Sequence, residues 1–224
     1  NKFFIVSYFI LQFKLYIKEQ SLEWCDASNV DLCFTACYIK IIRMSNTNVQ
    51  YDEIIKSCKD IFIKKTKDYG TAWRVLRPIS VVDQIFIKAL RIRTIQDKKL
   101  QLVGDNIADE FKGIVNYAVI GMIQLELGEA KIEELPVDQV NDWYGKWVKF
   151  SKDTMLNKNH DYGEAWRDMS QESFADLIIM KLQRIKQILV NDGKTIISEG
   201  IDANYVDILN YSVFALIMIE EGVH

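Results

Sequence analysis

Asp68-Tyr69-Gly70-Thr71-Ala72-Trp73-Arg74 recurs as Asp161-Tyr162-Gly163-Glu164-Ala165-Trp166-Arg167, with six of the seven positions identical and 93 residues between the copies. Tryptophan is rare, and a repeated D-Y-G-x-A-W-R points to a tandem duplication. The register extends outward from the motif. Val82–Ile92 aligns with Ala175–Ile185 at the same offset, and Lys59-Asp60 with Lys152-Asp153. After one inserted residue, Ile114-Val115-Asn116-Tyr117 aligns with Ile208-Leu209-Asn210-Tyr211 at an offset of 94. Each copy therefore carries D-Y-G-x-A-W-R, then D-x-x-x-x-K-x-x-R, then N-Y.

Apolar periodicity around these landmarks is helical. Tyr51, Ile54, Ile55, Cys58, Ile61 and Phe62 recur at the spacing of one helix face. This helix is expected to end at Tyr69-Gly70, where glycine permits a left-handed turn. Ser80 with Asp83, and Ser173 with Asp176, resemble capping boxes that open the next helix of each copy. A third helix is expected over about 106–127, with Gly128 as its C-cap. The second copy repeats the plan, with helices over about 137–156, 173–190 and 201–221. The expected fold is all-α: a tandem duplication of a three- to four-helix unit, packed as one pseudo-symmetric helical bundle. The expected divisions are a leader or extra helix over 1–43, a first repeat over 44–128, a linker over 129–136 and a second repeat over 137–224. For residues 1–43 three readings stand: a segment outside the fold that begins at Met44, an additional packing helix, or an export signal. The apolar run 3–13 falls short of the ~20 residues a spanning helix needs.

With 49 % hydrophobic residues the chain can bury a sizeable core. Its net charge of −3 provides no global basic field, so neither stable nucleic-acid binding nor membrane binding is expected. Four cysteines without a C-x-x-C pair suggest reduced thiols and a cytoplasmic protein. Two histidines make a His-rich zinc site improbable.

Local groups must then carry any chemistry. Helical spacing puts Lys88 beside Arg91 and Lys181 beside Arg184, as a phosphate reader requires. The same pairs would equally suit acidic partners on the neighbouring repeat. Acids gather where each third helix begins: Asp105, Asp109 and Glu110 in the first copy, Glu199, Asp202 and Asp207 in the second. Carboxylates a turn apart can hold Mg²⁺ with substrate phosphates, although helix N-termini attract acids for dipole reasons alone. Tyr69, Trp73, Tyr162 and Trp166 could stack on a nucleobase or plug the core. Asn116 and Asn210, amides in apolar surroundings, could read a base edge or clamp the other repeat.

These motifs, with D-x-x-N-Y at Asp207–Tyr211, resemble the nucleotide modification associated domain family over Gln50–Glu220. Gly113 stands where the second copy has Asp207. The family is in turn distantly similar to all-α nucleoside triphosphate pyrophosphatases. The resemblance implies a protein directed at a nucleotide or modified nucleotide, and a Mg²⁺-dependent phosphohydrolase as its activity. Glu199, Asp202 and Asp207 would hold the metal, with Glu199 and Asp207 catalytic. Lys88, Arg91, Lys181 and Arg184 would hold phosphates. The alternative is a non-catalytic helical binding or scaffold module. Either way the duplicated halves form an internal pseudo-dimer, and a further homodimer is open.

Overall fold

The structure is a computed structural model that describes residues 30–222 except 103, 105 and 198, with side chains placed from Thr47 onward. Most of the 1–43 segment, and Asp105, lie outside the described residues. Contacts divide the chain into two compact units, Asn1–Ser45 and Asn46–His224. Six α-helices are described: α1 (Val30–Tyr69), α2 (Pro78–Lys98), α3 (Ile107–Leu127), α4 (Val137–Tyr162), α5 (Gln171–Val190) and α6 (Ile201–Glu220). Short 3₁₀ turns at Ala72–Val75 and Ala165–Asp168 follow α1 and α4. No strand occurs among the described residues. No described helix is long and apolar enough to cross a membrane.

Several boundaries follow from local chemistry. Gly70 (φ +66°) and Gly163 (φ +64°) end α1 and α4 in the left-handed conformation expected of glycine. Asn106 caps α3, its side chain accepting the Asp109 N–H at 2.8 Å, and Gly128 closes it. One expectation is corrected: α4 extends to Tyr162 rather than ending near 156. The capping boxes do not form either: α2 begins at Pro78 and α5 at Gln171, ahead of Ser80 and Ser173. Asp83 instead pairs with Lys186 at 2.7 Å, and Asp176 with Arg93 at 3.5 Å. At the offset of 93, Asp83 corresponds to Asp176 and Arg93 to Lys186. The two bonds are thus one contact seen from both sides.

That reciprocity is the signature of a two-fold relation between repeats. It recurs in the core. Tyr144 Oη donates to Asn116 Oδ1 at 2.9 Å, while Asn116 Nδ2 donates to the Cys58 carbonyl at 3.0 Å. Tyr51 Oη donates to Asn210 Oδ1 at 2.9 Å, while Asn210 Nδ2 donates to the Ser151 carbonyl at 3.1 Å. Burial raises the Tyr51 and Tyr144 hydroxyls well above their ordinary pKa, so both remain donors. Each asparagine is thus an amide clamp that joins α1 to α6 and α4 to α3 across the duplication.

At the centre α3 packs on α6, with α2 and α5 against them and against each other. The two helices approach closely where Gly121 meets Tyr205. A Cβ on Gly121 would lie 2.5 Å from the Tyr205 ring. At the offset of 94 the corresponding residues are Ala215 and Phe111, so the second repeat carries a methyl group where the first has none. Gly121→Ala would gain about 1 kcal/mol of helix propensity. Overpacking costs about 1–3 kcal/mol and is expected to win, because the obstacle is a fully buried ring rather than a flexible chain end. A lower urea midpoint with an unchanged m-value is the expected result; an unchanged or higher midpoint would show that the crossing relaxes freely.

Candidate functional site

The first repeat folds its landmarks around a cavity of about 650 Å³. Tyr69, Gly70 and Trp73 come from the repeated motif, Lys88 from α2, and Glu110, Gly113, Asn116 and Tyr117 from α3. Lys65 on α1 and Lys112 on α3 add two further cations. The motif reaches this wall because Gly70 turns the chain sharply off α1. Thr71 then accepts the Leu135 N–H at 3.0 Å and gives its own hydroxyl hydrogen to the Glu133 carbonyl at 3.0 Å. The Glu134 carboxylate accepts the Thr71 N–H at 3.1 Å and lies where a Gly70 Cβ would stand. The linker is therefore part of the frame that holds the motif.

The motif arginine is structural in both copies. Arg74 is 1 % exposed. Its guanidinium donates to Glu133 at 3.0 and 3.1 Å, to the Glu129 carbonyl at 3.0 Å, and to Gln124. Arg167 instead binds Glu164, Glu221, Thr47 and Gln50. Neither arginine singled itself out by composition; their repetition inside the motif was the available signal.

Trp73 and Trp166 play different parts. Trp166 is 5 % exposed, stacks on Phe214 at 4.2 Å with a 3° interplanar angle, and carries the Arg167 guanidinium over its ring at 4.4 Å. It is a core plug, and the expectation that it stacks on a base is corrected. At the offset of 94 the first repeat has Ile120 in place of Phe214. Trp73 stacks on no ring among the described residues and lines the cavity, together with Ile120. The indole N–H groups of both tryptophans are buried without a partner among the described residues.

Tyr69 and Tyr162 lie at the surface, 60 % and 74 % exposed. Partial burial, then Tyr117 and Asp68, raise the Tyr69 hydroxyl above its ordinary pKa, and Tyr69 and Tyr117 both line the cavity. Burial raises Tyr117 as well. Asn116 and Asn210 have both amide atoms engaged in the clamps, so they are not free base readers.

Lys88, Arg91 and Lys181 are each partnered by an acid of their own repeat. Glu110 pairs with Lys88 at 3.0 Å and also with Arg91. Asp207 pairs with Lys181 and, at 2.7 Å, with Lys158 on α4. Lys181 and Asp207 are both buried. Burial opposes the charge on Lys158, but its hydrogen bond to Asp207 and the carboxylate's charge outweigh this and raise its pKa. Arg184, by contrast, is exposed and has no carboxylate ion pair among the described residues.

The expected metal set is not gathered. Both Asp207 oxygens are held by ammonium groups, one each. Glu199 acts on the Lys158 and Tyr211 side chains through its charge but is exposed. Asp202 turns back over Gly200. No group of three or more metal-ligating His, Cys, Asp or Glu side chains exists among the described residues. These residues, as arranged, do not fit Mg²⁺.

A family model, nucleotide modification associated domain 1, matches residues 65–125 and again 158–219. The chain belongs to this family. The two matches fall on the two repeats, each from the end of its first helix to its third, and together span more than half the chain. The nucleotide modification associated domain thus corresponds to the motif turn, the basic helix and the N-Y helix of each copy. No curated protein and no solved structure matches the chain significantly.

Proposed function

We propose that the protein binds a nucleotide or modified nucleotide in the first-repeat cavity. The observation that carries this is the cavity itself. Its wall joins an aromatic face, Trp73, to cations on three helices, Lys65, Lys88 and Lys112. A volume of about 650 Å³ suits a ligand of nucleotide size. The indole would stack on the base. The lysines would meet the phosphates as point charges. Lys88 is positioned for this, since its stem lies along Gly113, where a Cβ would come within 2.9 Å of Cε. An incoming phosphate would share Lys88 with Glu110. Tyr69 and Tyr117 would close the rim over the sugar.

Mg²⁺-dependent phosphohydrolysis is the finer form of this proposal. The acids Glu199, Asp202 and Asp207 give it no support as a ligand set, and no catalytic step is assigned to them. A panel of standard and modified nucleoside mono- and triphosphates, with and without Mg²⁺ or Mn²⁺, tests binding and turnover separately. Binding is expected to raise the melting temperature for at least one nucleotide. Trp73→Ala and Lys88→Met should each weaken it about tenfold or more, as loss of a stack or a charge-assisted bond implies. No nucleotide-dependent shift across the panel would overturn the reading. That result would favour the scaffold alternative, which has its own support in the amide clamps and the Asp83–Lys186 and Asp176–Arg93 bridges between repeats.

A further inference from the structure

The repeats exchange a carboxylate by one helical turn. At the offset of 94, Glu110 corresponds to Asn204 and Gly113 to Asp207. In the first repeat Glu110 neutralises both members of the basic pair, Lys88 and Arg91. In the second, the acid has moved to Asp207, within reach of Lys181 and Lys158 but leaving Arg184 without a carboxylate among the described residues. Asn204, in Glu110's place, is 4 % exposed. Its Nδ2 donates to the Gly200 carbonyl at 2.7 Å, and its Oδ1 has no partner among the described residues. Arg184 and Asn204 line one cavity of about 730 Å³, with Lys194 and Glu199 on the same wall.

We propose that this second-repeat cavity binds a sugar phosphate, either free or as part of a nucleotide. The phosphate takes the Arg184 fork, with Lys194 as a second cation. A sugar hydroxyl donates to Asn204 Oδ1, completing a buried acceptor that water-exposed chemistry would not leave open. Glu199 accepts a second hydroxyl. The ligand must carry an anion and a donor on one molecule, because an amide oxygen repels bare phosphate oxygens. The exchange of Glu110 for Asn204 is what makes the site: a carboxylate there would occupy Arg184 itself. The proposal uses none of the first-repeat cavity's residues and does not rest on the reading given for it.

Calorimetric titration of the full chain tests this with ribose 5-phosphate, a nucleoside 5′-monophosphate, the corresponding nucleoside and inorganic phosphate. Ribose 5-phosphate is expected to bind, with inorganic phosphate and the nucleoside each at least tenfold weaker. Arg184→Gln and Asn204→Asp should each weaken binding tenfold or more. Arg184 is exposed, so its variant will fold even where the Asn204 variant does not. Tighter binding of the monophosphate than of ribose 5-phosphate would identify a nucleotide as the source. No binding of either ester, binding of inorganic phosphate as tight as the ester, or affinity indifferent to Arg184→Gln would each overturn the proposal. Loss on Trp73→Ala without any response to Arg184→Gln would report on the first cavity alone, and would also overturn it.

Discussion

Asp207→Asn is expected to destabilise the protein by about 3–5 kcal/mol, the usual cost of removing one partner of a buried ion pair. The substitution preserves shape but leaves Lys181, 7 % exposed, with no anion in reach among the described residues. Lys158 would lose its partner as well, but it can turn to water, so most of the loss belongs to Lys181. At about 2–4 °C per kcal/mol for a protein of this size, the melting temperature should fall by roughly 10 °C. Lys181→Met in the Asp207→Asn background is expected to recover much of this, because it removes the uncompensated charge. Were Asp207 only a favourable acid near a helix N-terminus, the cost would stay below ~1 kcal/mol and Lys181→Met would rescue nothing. Thermal denaturation of the two single variants and the double variant distinguishes these outcomes.

Arg74→Met is expected to cost a similar ~3–5 kcal/mol, by a different route. Arg74 is the knot of the first motif turn. It joins the linker through Glu133 and the Glu129 carbonyl, and α3 through Gln124. Gln124 in turn donates to the Leu76 carbonyl at 2.8 Å, and the Lys131 N–H to the Arg74 carbonyl at 2.9 Å. Removing the guanidinium leaves the Gln124 oxygen short of a donor in a buried place, at about 1–3 kcal/mol, and takes a donor from the part-buried Glu129 carbonyl, which water can replace. Arg74→Lys should rescue little, since an ammonium cannot span Glu133, Glu129 and Gln124 together. Arg167→Lys should be milder, because its guanidinium lies nearer the surface with partners such as Glu221 and Gln50 that can rehydrate. Equal losses at the two arginines by urea denaturation would mean that the buried network is not what Arg74 contributes.

The exchange between Glu110–Gly113 and Asn204–Asp207 was already present in the register of the repeats. The missing acid at Gly113 is visible there, with Glu110 one turn earlier, but only the fold shows that Glu110 meets both Lys88 and Arg91. Residues three apart share a helix face, so a carboxylate moved by three positions still supplies Lys181, the counterpart of Lys88, while leaving Arg184 without one among the described residues. The exchange of Ile120 for Phe214 was equally visible in the alignment of copies. It reads as one apolar residue for another until the ring is seen stacked on Trp166.

By itself, the sequence determined the duplication, the all-α class, the glycine turns, the Gly128 cap and the family. Each of these rests on local spacing or on self-similarity, which need no partner from elsewhere in the chain. Tertiary structure alone decided what the repeated polar residues do. Asp83 and Asp176 sit where a capping box would use them, yet they meet Lys186 and Arg93, because α2 and α5 lie side by side. Asn116 and Asn210 have the same neighbours in sequence that a ligand-reading amide would have. They became clamps because the two-fold arrangement of repeats brings Tyr144 and Tyr51 within 2.9 Å of their oxygens. A buried polar group is satisfied by whatever the fold delivers to it, and that delivery spans up to 159 residues of chain here, beyond the reach of any local pattern.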